Sequence, residues 1–335
     1  MIILGIDTSC DDTSVSVVED GKNILSNIVS SQILFHEKYG GVVPEIAARK
    51  HLELINFAIQ EALETASVSW KDLHAVAVTD RPGLIGSLVV GVAAAKSIAW
   101  AHQKPLIPVN HIQAHLYAPQ LNNEWKIDRF VALIVSGGHT LLAEITKRIE
   151  MEVIGRTVDD AAGEAFDKIA KLMNIGYPGG PAIQKCAEKC LKNPVQLPRP
   201  MIKEGYNFSF SGLKTAAKLV YEQIISNQSE YTLPDLAAGF QDAVVDVLQH
   251  KTFKLAQETG LKNIVVTGGV AANKKLREVF HSDAIKKDIN VYFPTPELCT
   301  DNAAMVAGIA YHLYKADVTA SWDLNPQSAI LRKGV

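Results

Sequence analysis

The sequence predicts an α/β protein of two similar halves. Three observations carry this: short apolar runs alternate with amphipathic helical stretches, three strands open the chain before any long helix, and the same order returns after about residue 130. Strand patterning appears at residues 2–6, at 14–18, where Val15 and Val17 alternate with serines, and at 24–29. A helix follows Pro44, with Leu52, Ile55, Ile59 and Leu63 at helical spacing. A strand at 75–78, an apolar helix at 84–101 and a strand at 106–109 complete a βββαβαβ unit. The apolar helix is broken by Ser87, Lys96 and Ser97 and bounded by Pro82 and His102, too short for a membrane span, and reads as buried core.

The second half resumes with strands at 130–135, 141–145 and 151–154 and a helix at about 159–173. Five prolines (178, 181, 194, 198 and 200) then mark a loop, insertion or hinge rather than core elements. An amphipathic helix carries Leu236, Ala237, Phe240, Val244, Val247 and Leu248, followed by a strand at 264–267, a helix and a strand at 290–293. The expected domains are 1–112 and 113–301, two halves facing one cleft, with a helical and proline-rich insertion over about 160–232. The last helix, within about 302–325, carries Met305, Val306, Ile309, Ala310 and Leu313 inward and could pack on either half, the first being expected. Sequence identity between the halves is negligible, so element order alone carries the duplication.

At 335 residues, 47% hydrophobic and 21% charged, the chain has the balance of a folded globular protein, not a disordered one. A net charge of −3 excludes a histone-like binder, so any nucleic acid must be met by a local basic patch. Cys10, Cys186, Cys190 and Cys299 form no CxxC pair, which fits a reducing compartment. The opening MIILGIDTSCDD places acid where a secretory signal needs a basic region, so a cytoplasmic, non-membrane protein is expected.

Several segments have the composition of sites. His111 and His115 stand four residues apart, on one helix face, close enough to share a metal ion, although such spacing also arises by chance. Ile112 occupies the position where a zinc peptidase needs its glutamate base. Asp301 is a candidate third ligand or a plain helix cap. Val135-Ser136-Gly137-Gly138-His139-Thr140 links two strands by a turn that either merely reverses the chain or lets an anion approach its amides. The turn from Asp7 to Thr13 holds three carboxylates and three hydroxyls, enough for a phosphate and its cation, or simply a solvated loop. Gly268 and Gly269 follow a strand and open a helix, a place where a nucleotide can meet a helix N-terminus. Asp167 could line a cleft or form a surface ion pair.

Together these segments resemble one family over almost the whole chain: the tRNA threonylcarbamoyladenosine transferases, TsaD, formerly called glycoproteases. The resemblance rests on GIDTSCDD at 5–12, YGGVVPE at 39–45, PGLIGSL at 82–88, VNHIQAH at 109–115 and LIVSGGHT at 133–140. In the second half it rests on DDAAGEAFDK at 159–168, YPGGP at 177–181, FSFSGLKT at 208–215, GGVAANKKLR at 268–277 and CTDNAAM at 299–305.

The resemblance implies two RNase H-like halves of the actin, sugar-kinase and Hsp70-like superfamily around a central nucleotide cleft. It implies one divalent metal, Fe2+ or Zn2+, on His111, His115 and Asp301. It implies an adenylate site of Ile134, Val135, Ser136, Gly137, Gly138, Asp167, Gly180 and Asn273, which ATP or ADP could also occupy. The implied reaction moves a threonylcarbamoyl group from threonylcarbamoyl-AMP to N6 of adenosine 37 in tRNAs reading codons that begin with A, releasing AMP. Asp11 and Asp12 are candidates for a proton relay. The bacterial wording implies two partners besides tRNA: a noncatalytic paralogue of TsaB type and a P-loop ATPase of TsaE type.

The chain departs from the family pattern in places. Asp12 stands where Glu is usual, Gln113 and Ala114 where Glu and Gly are common, and Asp80-Arg81 replaces a smaller pair. Competing expectations are a metallopeptidase, a kinase or O-carbamoyltransferase on the same fold, and a scaffold that binds nucleotide without turnover. Lys214, Lys274, Lys275 and Arg277 could meet RNA by charge alone or simply face solvent.

Overall fold

A computed structural model describes residues 1–121, 127, 129–147, 150–191 and 193–328. The chain divides into two compact units, Met1–Trp125 with Thr300–Val335, and Lys126–Cys299.

In the first unit β1 (Ile2–Asp7), β2 (Asp12–Glu19) and β3 (Asn23–Ser31) form an antiparallel meander. Next come α1 (Ile33–His36), α2 (Pro44–Ala66), β4 (Ala75–Arg81), α3 (Ile85–Ala101), β5 (Leu106–Asn110) and α4 (His111–Tyr117). The sheet order is β3-β2-β1-β4-β5, with β4 parallel to both β1 and β5. The carboxyl ends of β1, β4 and β5 therefore share one edge, so the loop after β1 and the helix after β5 are neighbours there.

The second unit holds β6 (Phe130–Val135), β7 (Thr140–Lys147), β8 (Glu150–Arg156), α5 (Ala162–Leu172), α6 (Gly179–Ala187), α7 (Ser211–Ile225) and α8 (Leu233–Thr259). β9 (Asn263–Thr267), α9 (Lys274–Lys287), β10 (Asn290–Tyr292) and α10 (Pro296–Cys299) complete it. Its sheet order, β10-β9-β6-β7-β8, repeats that of the first when read from the other edge. The last helix, α11 (Ala303–Lys315), lies on the first unit's sheet, against β1 and β2.

The expected domain boundary at 112 is corrected. The first unit does not end at 112: β5 runs straight into α4, and α4 packs on α11, which keeps both in one body. The helical and proline-rich segment expected over about 160–232 lies within the second unit, where Phe166, Ile183, Phe208, Phe210 and Leu213 are buried in the same core as Val131, Leu133 and Phe240. Within the proline-rich stretch Gly179–Ala187 is helical, with Ile183 buried.

Helix α3 is apolar nearly all round, yet only one face is covered. Leu88, Val92, Ala95 and Ala99 are buried, while Ile85, Val89 and Trp100 remain exposed on another. Among the described residues no helix is long and apolar enough to cross a membrane. The four cysteines are free thiols.

Candidate metal centre and nucleotide-binding loops

The first unit builds a histidine–carboxylate cluster at the edge where β1 and β5 end. Asn110 closes β5 and caps α4, its side chain accepting the Ile112 amide at 2.9 Å, so the helix begins at His111. One helical turn later His115 lies on the same face, and the two rings meet edge to face with centroids 4.6 Å apart. Asp301 arrives from the start of α11. That start is fixed on the sheet in two ways: Ser14 Oγ accepts the Ala303 amide at 2.8 Å, and Gly5 lets the Ala303 carbonyl come where a Cβ would be only 2.6 Å away. Asn302, not Asp301, caps α11, accepting the Met305 amide at 3.1 Å. The Asp301 carboxylate is thus turned to the histidines, with Oδ1 at 3.1 Å from His115 Nε2 and 3.4 Å from His111 Nε2. One ligand atom from each residue lies within 4.8 Å of the others.

The donor set fits one divalent ion. Two imidazoles and a carboxylate are the mixture that zinc and iron accept. Electrostatics point the same way. Burial would lower His111, yet the Asp301 and Asp7 carboxylates raise it to about 10, as they would favour any cation at that place. His115 is pushed down by burial and by His111.

Around the cluster the turn after β1 behaves differently from the phosphate loop its composition allows. Asp7, Thr8, Ser9 and Thr13 are buried, and their polar atoms are turned into the protein. Thr8 donates to the Ser87 carbonyl at 2.8 Å, Ser9 Oγ stands 3.1 Å from His111 Nδ1, and Thr13 Oγ1 lies 2.8 Å from His51 Nδ1. Asp7 places Oδ2 at 3.0 Å from His111 Nδ1. Sequence reasoning marked Asp7 and Ser9 as part of a possible phosphate turn but missed their contact with His111, and it missed His51; the signal was topological, since Asp7 ends a strand parallel to β4, as does the strand that delivers His111.

Asp11 and Asp12 stand at the β1–β2 turn. Burial, then Asp11 and Asp301, raise Asp12 to about 7, and its buried Oδ1 makes no hydrogen bond. Burial also raises Asp11.

In the second unit the loop at 136–138 and the segment from Gly268 to Asn273 follow the carboxyl ends of the parallel strands β6 and β9, and Gly163 of α5 packs on the first of them. Ser136 and His139 close the turn after β6, leaving Gly137 and Gly138 at its tip. Gly163 and Gly268 pack directly on this loop: a Cβ on Gly163 would lie 2.6 Å from the Ser136 carbonyl, and one on Gly268 2.4 Å from that of Val135. Asp167 accepts the Gly179 amide at 2.7 Å and so fixes the start of α6, where Gly180 lies. Asn273 is spent locally, capping α9 through the Leu276 amide at 3.0 Å and donating to Gln241 at 2.9 Å. By contrast, Gly137, Gly138, Gly180 and Gly269 face open space, with room for a side chain that none of them carries. Ile134 and Val135 are buried strand residues.

The profile of the TsaD family, tRNA N6-adenosine threonylcarbamoyltransferase, matches residues 23–308. The chain belongs to this family. A tRNA N6-adenosine threonylcarbamoyltransferase of Brachyspira hyodysenteriae is 47% identical over 99% of this chain and 97% of its own. One from Symbiobacterium thermophilum is 49% identical over 97% and 95%. Among solved structures, component A of Acidaminococcus fermentans (R)-2-hydroxyglutaryl-CoA dehydratase superposes with TM-score 0.58 at 16% identity, covering 93% of this chain and 98% of its own. Full-length HypF in its phosphate- and nucleotide-bound form gives 0.62 at 15%, covering 95% and 56%. These two establish likeness of fold, an α/β architecture with a five-stranded mixed sheet in each unit. TsaD membership makes the chain a transferase, and the peptidase, kinase and scaffold expectations give way to it.

The basic residues considered for RNA are engaged within the second unit. Lys214 pairs with Asp160, Lys274 with Glu188 and Lys275 with Asp242. Arg277 donates to the Ala271 and Pro294 carbonyls at 2.7 and 2.8 Å and lies over Phe293.

Proposed function

We propose that this enzyme transfers a threonylcarbamoyl group from threonylcarbamoyl-AMP to N6 of adenosine 37 in tRNAs reading codons that begin with A, releasing AMP. Family membership over nearly the whole chain carries this reading, and the histidine–carboxylate cluster supports it.

Adenine N6 is a poor nucleophile, so the site must polarise the donor carbonyl and orient both reactants. A divalent ion, iron or zinc, held by His111, His115 and Asp301 would supply the Lewis acid that polarises the carbamoyl oxygen. The Gly137 and Gly138 amides steady the adenylate phosphate, and the open glycine faces at 137, 138, 180 and 269 give a ligand close approach to backbone. Asp167 holds the Gly179-Gly180 turn in place for the same ligand. Asp12 accepts at Oδ1 the proton that N6 loses, and its level near 7 suits a base at neutral pH. Burial keeps Asp12 at that level, and the like charge of Asp11 adds to it. The target base lies in a single-stranded loop, so no duplex must open.

The enzyme works in the cytoplasm with a TsaB-type paralogue and a TsaE-type ATPase. The exposed apolar residues Leu52, Phe57, Val89 and Trp100 on α2 and α3 favour a protein partner on the first unit.

The test is transfer of labelled threonylcarbamate from preformed threonylcarbamoyl-AMP to a tRNA transcript, with and without the partner proteins. Label at adenosine 37 that disappears with His111→Ala is the expected result. Failure with all partners present would leave another carbamoyl acceptor or a scaffold.

A further inference from the structure

His111 is gripped from behind. Its Nε2 faces Asp301 at 3.4 Å, while Nδ1, on the other side of the ring, lies 3.0 Å from Asp7 Oδ2 and 3.1 Å from Ser9 Oγ. Asp7 is itself immobilised: it is 1% exposed, and its other oxygen accepts the Ser9 amide at 2.8 Å. The carboxylate belongs to the last residue of β1 and the histidine to the first turn of the helix after β5, so two strands parallel to β4 set their spacing.

We propose that Asp7, assisted by Ser9, is a positioning residue that holds His111 as the Nδ1–H tautomer and thereby commits Nε2 to a divalent metal ion. The inference rests on the metal reading given above and adds residues outside its ligand set. The physical reason is the imidazole's geometry. A ring bound to a metal ion keeps one proton; a buried carboxylate at Nδ1 claims it, and the lone pair then belongs to Nε2, on the side of His115 and Asp301. The negative charge behind the ring also raises the basicity of Nε2 as a ligand. Without Asp7 the ring could turn or change tautomer, and Ser9 Oγ, a weaker acceptor, would be left to hold it.

The probe is zinc ion, titrated into the full-length protein against a chromophoric chelator. Asp7→Ala is expected to weaken zinc binding about 10–100-fold, and Asp7→Asn, which keeps an acceptor but loses the charge, by less. Ser9→Ala should weaken it least. Thermal unfolding of each metal-free variant separates the roles: a purely structural Asp7 would lower the melting temperature and leave the zinc affinity of the folded protein unchanged, and that result overturns the proposal. Should Asp7→Ala fail to fold, Asp7→Asn and the wild-type protein still decide. In zinc-loaded wild type, histidine 15N spectra should show His111 protonated at Nδ1 and bound through Nε2; binding through Nδ1 overturns the proposal. If zinc binding survives both His111→Ala and Asp301→Ala, the metal centre itself is wrong and the proposal falls with it. If those two variants abolish binding and Asp7→Ala does not alter it, only the role of Asp7 is lost.

Discussion

His115 Nε2 and Asp301 Oδ1 stand 3.1 Å apart although 186 positions separate them in the chain. The contact exists because α11 returns to the first unit's sheet, where Gly5 and Ser14 fix its first turn against β1 and β2. Asp301 precedes the helix and its cap, so its carboxylate is available to the imidazoles of α4.

Loss of one ligand should therefore remove metal and transfer together. His115→Ala is expected to purify without stoichiometric metal and to lose transfer by about 100-fold or more. Metal analysis beside the tRNA assay checks this. Undiminished transfer by a metal-free variant would take the ion out of the reaction.

The glycines of the second unit divide into two kinds. Gly137→Ala and Gly180→Ala meet open space, so stability should change by no more than about 0.5 kcal/mol. Adenylate affinity should fall about tenfold, equivalent to about 1.4 kcal/mol, because the methyl occupies the ligand's space. Gly163→Ala, whose Cβ would meet the Ser136 carbonyl, should instead destabilise by about 1–3 kcal/mol. Calorimetry and chemical denaturation on the same three variants distinguish these outcomes.

Asp12 makes stability depend on pH in a defined direction. Its folded level, about 7, lies above the ordinary carboxylate value of 3.8, so between these pH values the folded state binds more protons than the unfolded one. Its contribution to stability thus falls as pH rises from about 4 to about 7 and stays unfavourable above. In chelator-treated protein, Asp12→Asn should melt above wild type at pH 8 and lose that advantage near pH 4. A constant difference across this range would show that burial does not hold the proton.

Lys251 is fully buried on α8, and its ammonium donates to the Glu204 and Gly205 carbonyls at 2.7 and 3.0 Å. Lys251→Met keeps the volume and removes both donors, leaving two acceptors without that partner. Stability is expected to fall by about 1–3 kcal/mol, measured by urea unfolding, with adenylate binding by the folded protein retained.

Much of this was legible in the chain itself. Alternating serines and valines in β2, the helical spacing in α2 and α8, and repetition of the strand order all follow from local periodicity, which one residue and its near neighbours determine. The His111–His115 pair was legible for the same reason, since four residues make one helical turn.

What only the tertiary structure decided is which distant residues share an edge. Asp301 could have been a helix cap, and its role depended on Asn302 taking the cap and on α11 docking onto β1. The acid- and hydroxyl-rich turn after β1 had the composition of a phosphate loop, but β4 places it beside β5, so Asp7 and Ser9 turn to His111. Helix α3 shows the converse limit: its composition is apolar all round, and which face is buried was settled by the sheet and by α2 packing on it. Periodicity is a property of neighbours along the chain, whereas sheet order and helix docking bring together residues with no sequence relation, and the chemistry of this protein is built from the second kind of contact.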